Sequence, residues 1–110
     1  MLKMNTIDAA KYFECISSPV RLSVFILLIR HGSEGLVAGE IANTLDIPAS
    51  NLSFHLKALT HCQLISVEQE GRFLRYRANL PLMKELAGFL TEQCCIDQSS
   101  KNTSCKKGKK

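Results

Sequence analysis

Hydrophobic residues in the first part of the chain recur at helical spacing. Ala9, Tyr12, Phe13 and Ile16 fall at i, i+3, i+4 and i+7, which predicts one face of a helix with Thr6 as its N-cap. Ser18-Pro19 restarts the chain: serine caps free amide groups, and proline suits the first helical position, where its missing N–H costs nothing. The next helix carries Val20, Val24, Leu27 and Leu28 on one face and Leu22, Phe25, Ile26 and Ile29 on the other, so it is predicted to be central and buried nearly all round. Gly32 and Gly35 close it. Val37, Ile41 and Leu45 mark a short third helix ending at Asp46-Ile47-Pro48, where the chain must turn.

Beyond that turn Leu52, Leu56 and Leu59 form an apolar stripe, while Ala49, Ser50, Ser53, His55 and Lys57 make a short polar face. Two helices joined by a tight turn, the second presenting small hydrogen-bonding residues, form a helix-turn-helix candidate; the same pattern also suits a purely structural helix pair. The period then changes to two, with Ile65, Val67 and Gln69 alternating with Ser66, Glu68 and Glu70 before Gly71 and a second run from Arg72 to Ala78. This predicts a β-hairpin. With Glu70-Gly71 as a two-residue turn, Val67 faces Leu74 and Ile65 faces Tyr76, so both strands bury one face. Arg75 and Arg77 lie on the other face with Arg72 near the tip, a basic wing able to follow phosphates or enter a minor groove. Phe73 on that outer face has no evident role. Asn79 caps a last helix with Pro81 in its first turn and Leu82, Leu86, Phe89, Leu90 and Gln93 along one stripe, ending near Cys94-Cys95. The fold class is therefore mainly α with a small β-hairpin, in the order α-α-α-α-β-β-α. Residues 1–95 make the domain, and the polar, lysine-rich residues 96–110 are expected to be a mobile tail.

Composition narrows the functional classes. A chain of 110 residues, 45% hydrophobic and 22% charged, fits one globular domain. Its longest apolar run is the six residues Val24 to Ile29, against roughly 20 for a membrane span, and the N-terminus lacks a signal-peptide pattern. A cytoplasmic, non-membrane protein is expected. The formal charge of +4 is deceptive, because Lys101, Lys106, Lys107, Lys109 and Lys110 account for it; residues 1–98 carry 9 basic and 10 acidic side chains. Any nucleic-acid reading rests on where positive charge sits. No Gly-rich phosphate loop or recognisable catalytic set is present, which argues against an enzyme. The five cysteines are an odd number and are expected to be thiols in a reducing compartment.

Three segments carry a family resemblance: Ser18-Pro19-Val20-Arg21-Leu22, the run Ser-Asn-Leu-Ser-Phe-His-Leu-Lys-Ala-Leu from Ser50 to Leu59, and Glu70-Gly71-Arg72 through Tyr76-Arg77. In this order the chain resembles, over residues 6–95, the ArsR/SmtB family of winged-helix repressors that sense metals and metalloids. The resemblance implies a winged helix-turn-helix homodimer built on the first and last helices and holding two recognition helices over an inverted repeat in double-stranded DNA. Ser50, Asn51, Ser53 and His55 match the positions facing the major groove, with Lys57 on the same exposed face, and Arg72, Arg75 and Arg77 match the wing. For His55 the alternative is a surface histidine satisfied by a neighbouring carbonyl.

The resemblance also bears on the inducer. Arsenic sensors of this family with thiolates before the recognition helix would place them at Val37, Gly39 and Ala42, and its zinc sensors use a histidine-bearing last helix, which this chain lacks. His31, His55 and His61 are therefore not expected to be metal ligands. Cys94, Cys95 and Cys105 instead resemble a subgroup with a vicinal cysteine pair ending the last helix and a further cysteine in the tail. No resident cofactor is implied; the inducer would be trivalent arsenic or antimony, soft centres that favour three thiolates. Binding by Cys94 and Cys95 alone would favour a methylated arsenical. Thiol redox or persulfide sensing is the other class, with Cys15 as the candidate partner of Cys94 or Cys95, although its apolar setting favours a buried structural thiol.

Overall fold

The computed structural model describes residues 4–97, and of Cys95, Ile96 and Asp97 the backbone alone. Helix α1 (Thr6–Cys15) is capped by Asn5, whose side chain accepts from the Asp8 amide at 2.8 Å, so the cap lies one residue before the expected Thr6. Helix α2 (Pro19–His31) starts as expected: Ser18 Oγ accepts from the Arg21 amide, and Pro19 occupies the first turn. The two helices meet at 99°. Strand β1 (Leu36–Val37) leads into α3 (Ala38–Leu45), then α4 (Ala49–His61), β2 (Ile65–Glu70), β3 (Phe73–Ala78) and α5 (Leu80–Asp97). Asn79 Oδ1 accepts from the Leu82 amide, capping α5 as expected.

Val24 and Leu28 of α2, Ile41 of α3, Leu52, Leu56 and Leu59 of α4, and Leu64 beyond it form a fully covered core. Every residue of the predicted α4 stripe is in it. The sheet order is β1-β3-β2, all antiparallel. Strand β1 was not predicted, because two residues show no period; Leu36 opposes Tyr76 and Val37 opposes Arg75. Gly35 makes this approach possible, since its φ is +65° and a Cβ there would collide with the Tyr76 carbonyl.

The hairpin register differs from the expected one. Glu70 opposes Phe73 and Val67 opposes Tyr76, so the turn is Gly71-Arg72 rather than Glu70-Gly71. Gly71, with φ +61°, sits first in the turn, where a type II′ geometry needs a glycine. A shift of two residues between partners preserves the faces. Only the base of the hairpin is buried, at Ile65, Tyr76 and Ala78; Val67 and Leu74 stand exposed.

Helix α2 is not buried all round. Leu22 and Ile26 are 40% and 39% exposed, because their face looks into an apolar groove between α1, α2 and α5 instead of into the core. Helix α5 continues through Cys94 and Cys95 to Asp97, two residues past the expected domain boundary, because no helix breaker follows the pair. The remainder of the expected tail, 98–110, lies outside the described residues. Among the described residues, no single helix is long and apolar enough to cross a membrane.

Candidate nucleic-acid interface

The turn between α3 and α4 is closed by Asp46 in the left-handed conformation, φ 56°, with the Ile47 amide donating to the Ala42 carbonyl. Aspartate tolerates this conformation better than most residues. Glu40 holds the start of α3 by accepting from the Val37 amide. Because Leu52, Leu56 and Leu59 point inward, α4 presents Ser50, Asn51, Ser53, Phe54 and Lys57 to solvent. These groups can donate to base edges, pack on a thymine methyl and neutralise a phosphate.

His55 departs from the expected arrangement. It is half-buried on the flank of α4, where its Nδ1 accepts from Arg21 Nε at 3.2 Å, a bond that places the neutral ring's proton on Nε2. The reason is angular: successive helical residues turn by about 100°, so Phe54 takes the outward position between Ser50 and Lys57 while His55 swings toward α2. Phe54 is 64% exposed. Its ring meets His55 edge-on at 5.5 Å and lies 5.7 Å from the Arg21 guanidinium. Arg21 also donates to the Cys15 carbonyl at the end of α1. Sequence reasoning passed over Phe54 and Arg21 as site residues, although the spacing of Phe54 from Ser50 and Lys57 already puts all three on one face.

The wing arginines divide. Arg75 and Arg77 lie on the outer face as expected, but β2 sets acids beside them: Arg75 pairs with Glu70 at 2.8 Å, and Arg77 with Glu68 at 2.7 Å and Glu70 at 3.9 Å. They also donate to the Glu34 and Ser33 carbonyls, tying the hairpin to the segment before β1. The hydrogen bond to Glu70 holds the Arg75 guanidinium above its usual pKa. These side chains are engaged, because the observed register alternates them with glutamates. Arg72 is exposed in the turn and, among the described residues, forms no ion pair.

Cys94 is an exposed free thiol on α5; the Cys95 side chain and all of Cys105 lie outside what is described. Among the described residues, no three His, Cys, Asp or Glu side chains gather as a metal site. Two cysteine expectations are corrected. Cys15 and Cys62 are joined as a disulfide across 47 residues, so neither is a free thiol in this structure and the partner of Cys15 is Cys62. The end of α1 packs over the end of α4, bringing Cys15 Sγ to the Ala58 carbonyl.

Residues 16–68 match the family model of a helix-turn-helix domain. The chain is similar to the uncharacterized HTH-type transcriptional regulator YdfF of Bacillus subtilis (strain 168), 39% identical over 72 residues; the match covers 64% of this chain but only 30% of that protein. It is 32% identical over 73 residues to the transcriptional repressor SdpR of the same organism, covering 66% of this chain and 78% of that one. With the arsenical resistance operon repressor of Bacillus subtilis it shares 28% identity over 94 residues, 84% of this chain and 85% of that one. Among solved structures, an ArsR-like transcriptional regulator from Rhodococcus sp. RHA1 superposes with a TM-score of 0.69 at 26% identity, covering 84% of each chain.

Proposed function

Because the chain belongs to the ArsR/SmtB family of winged helix-turn-helix transcriptional repressors, we propose that it binds an inverted-repeat operator as a homodimer and leaves it when trivalent arsenic or antimony is captured by its C-terminal cysteine thiolates. The observation that carries the DNA half is α4 itself: a buried leucine stripe seats it, and Ser50, Asn51, Ser53, Phe54 and Lys57 project from its other side. The dimer reading is supported by the groove between α1, α2 and α5, where Phe13, Leu22, Ile26 and Leu90 are 37%, 40%, 39% and 51% exposed. A second copy of the chain would cover that apolar surface.

The inducer half rests on the exposed thiol of Cys94 beside Cys95, on the similarity to an arsenical resistance operon repressor, and on the chemistry of three soft donors, the third being Cys105. Neighbouring residues on a regular helix point about 100° apart, and α5 is helical through both. Capture of one atom by both sulfurs therefore requires the end of α5 to unwind, which changes the dimer element and the spacing of the recognition helices. Fluorescence anisotropy of the reduced protein on DNA from upstream of its own gene tests this. Arsenite should release the DNA from wild type and not from Cys94→Ser or Cys95→Ser. Loss of the response in Cys105→Ser marks a three-thiolate site, and preference for methylarsenite a two-thiolate one. Binding that no arsenical or antimonite reverses sinks the inducer reading and leaves the repressor.

A further inference from the structure

We propose that Cys15 and Cys62 form a peroxide-responsive dithiol site, separate from the α5 cysteines, in which Cys62 is oxidised first, Cys15 resolves it, and the resulting bond clamps the recognition helix to α1. The DNA consequence rests on the reading of α4 given above; the chemistry at the sulfurs does not.

Placement carries the argument. Cys62 caps the C-terminus of α4 and Cys15 is the last residue of α1. Their Cα atoms stand 7.1 Å apart, just beyond the usual span of a disulfide, so the bond holds the two helix ends against each other. Cys15 Sγ faces the Ala58 carbonyl and Cys62 Sγ the Leu59 carbonyl, both in the last turns of α4. The reduced pair thus has acceptors on the same helix. Cys62 is also reachable: with Asp8, Lys11, Tyr12, His61 and Gln63 it lines an open cleft of about 340 Å³ between α1 and α4. Solvent access beside a lysine is the setting in which cysteines react, whereas a thiol enclosed by apolar groups is inert.

The chemistry balances with a hydroperoxide as oxidant. The Cys62 sulfur attacks one peroxide oxygen, the O–O bond breaks, and the distal oxygen leaves as water or alcohol, giving a sulfenic acid. Cys15 then attacks that sulfur; the S–S bond forms, the S–O bond breaks, and the hydroxyl leaves as water with the Cys15 proton. Two thiols lose two electrons and two protons, and the peroxide gains them. The clamp has a second anchor, since Arg21 holds the Cys15 carbonyl and His55 of α4 together. The bond and the Arg21 bridge together tie α4 to α1 at two points.

The test uses full-length protein with Cys94, Cys95 and Cys105 changed to Ser, treated with hydrogen peroxide and mapped by mass spectrometry without reduction. The expected result is one linked pair of peptides carrying Cys15 and Cys62, two hydrogens lighter than the thiols. Operator affinity should change by at least about fivefold and return with dithiothreitol. In Cys15→Ser, dimedone should trap a sulfenic acid at Cys62. The same mapping of wild type keeps the experiment decisive if a variant does not fold. Free thiols at both positions after peroxide overturn the site; a bond that forms while affinity stays within twofold overturns the clamp. If reduced protein binds no DNA, the α4 reading fails instead, and the mapping still decides the thiol chemistry.

Discussion

Arg72 and Arg77 are separated by five positions and have different work to do. Arg77 spends its guanidinium on Glu68, Glu70 and the Ser33 carbonyl, whereas Arg72 stands exposed in the turn. Arg72→Ala should therefore weaken operator binding and lower the slope of log affinity against log salt by about 0.9, one phosphate contact, with no change in melting temperature. Arg77→Ala should instead cost about 1 kcal/mol of stability, read by urea unfolding, because it frees the hairpin from the Ser33 carbonyl and breaks partly exposed ion pairs. Equal salt slopes in the two variants would refute this division. Composition made the arginine cluster visible, but not its pairing: the acids Glu68 and Glu70 lie on β2 and the bases Arg75 and Arg77 on β3, and a shift of two residues decides which face each other.

At the scale of elements, caps and stripes were legible because each depends on residues within one or two turns. Ser18-Pro19, Asn79 and the leucines of α4 behave as their local chemistry requires. Strand β1 was not, because it exists only through its partner β3. Its dependence on Gly35 can be measured. Gly35→Ala places a methyl against the Tyr76 carbonyl at a positive φ and should cost about 1–3 kcal/mol, lowering the melting temperature. Gly39→Ala in α3, where nothing lies within 4 Å, should stabilise by about 0.5–1 kcal/mol through helix propensity. A Gly35→Ala protein as stable as wild type would show that β1 does not depend on this glycine.

For the whole molecule the second apolar face of α2 matters most. A single chain leaves Leu22 and Ile26 partly exposed beside Phe13 and Leu90, and a second copy is the proposed cover. Ile26→Glu should shift the sedimentation mass from dimer to monomer and abolish operator binding, because a charge buried without a partner costs several kcal/mol. Val67→Glu, at a similarly exposed position on the hairpin, should leave the mass unchanged. A wild-type protein that sediments as a monomer at micromolar concentration would remove the basis for the dimer.

The sequence by itself determined the helices, the helix-turn-helix, the existence and facing of the hairpin, and the family, because these depend on periodicity, capping residues and motif order along the chain. It also placed Ser50, Asn51, Ser53 and Lys57 on an open face. Tertiary structure alone decided that His55 serves Arg21, that two wing arginines are held by glutamates, and that Cys15 meets Cys62 across 47 residues. These are contacts between groups distant in the chain. Their geometry follows from how helices and strands pack, and a hydrophobic pattern specifies which face is buried but not which neighbour it meets.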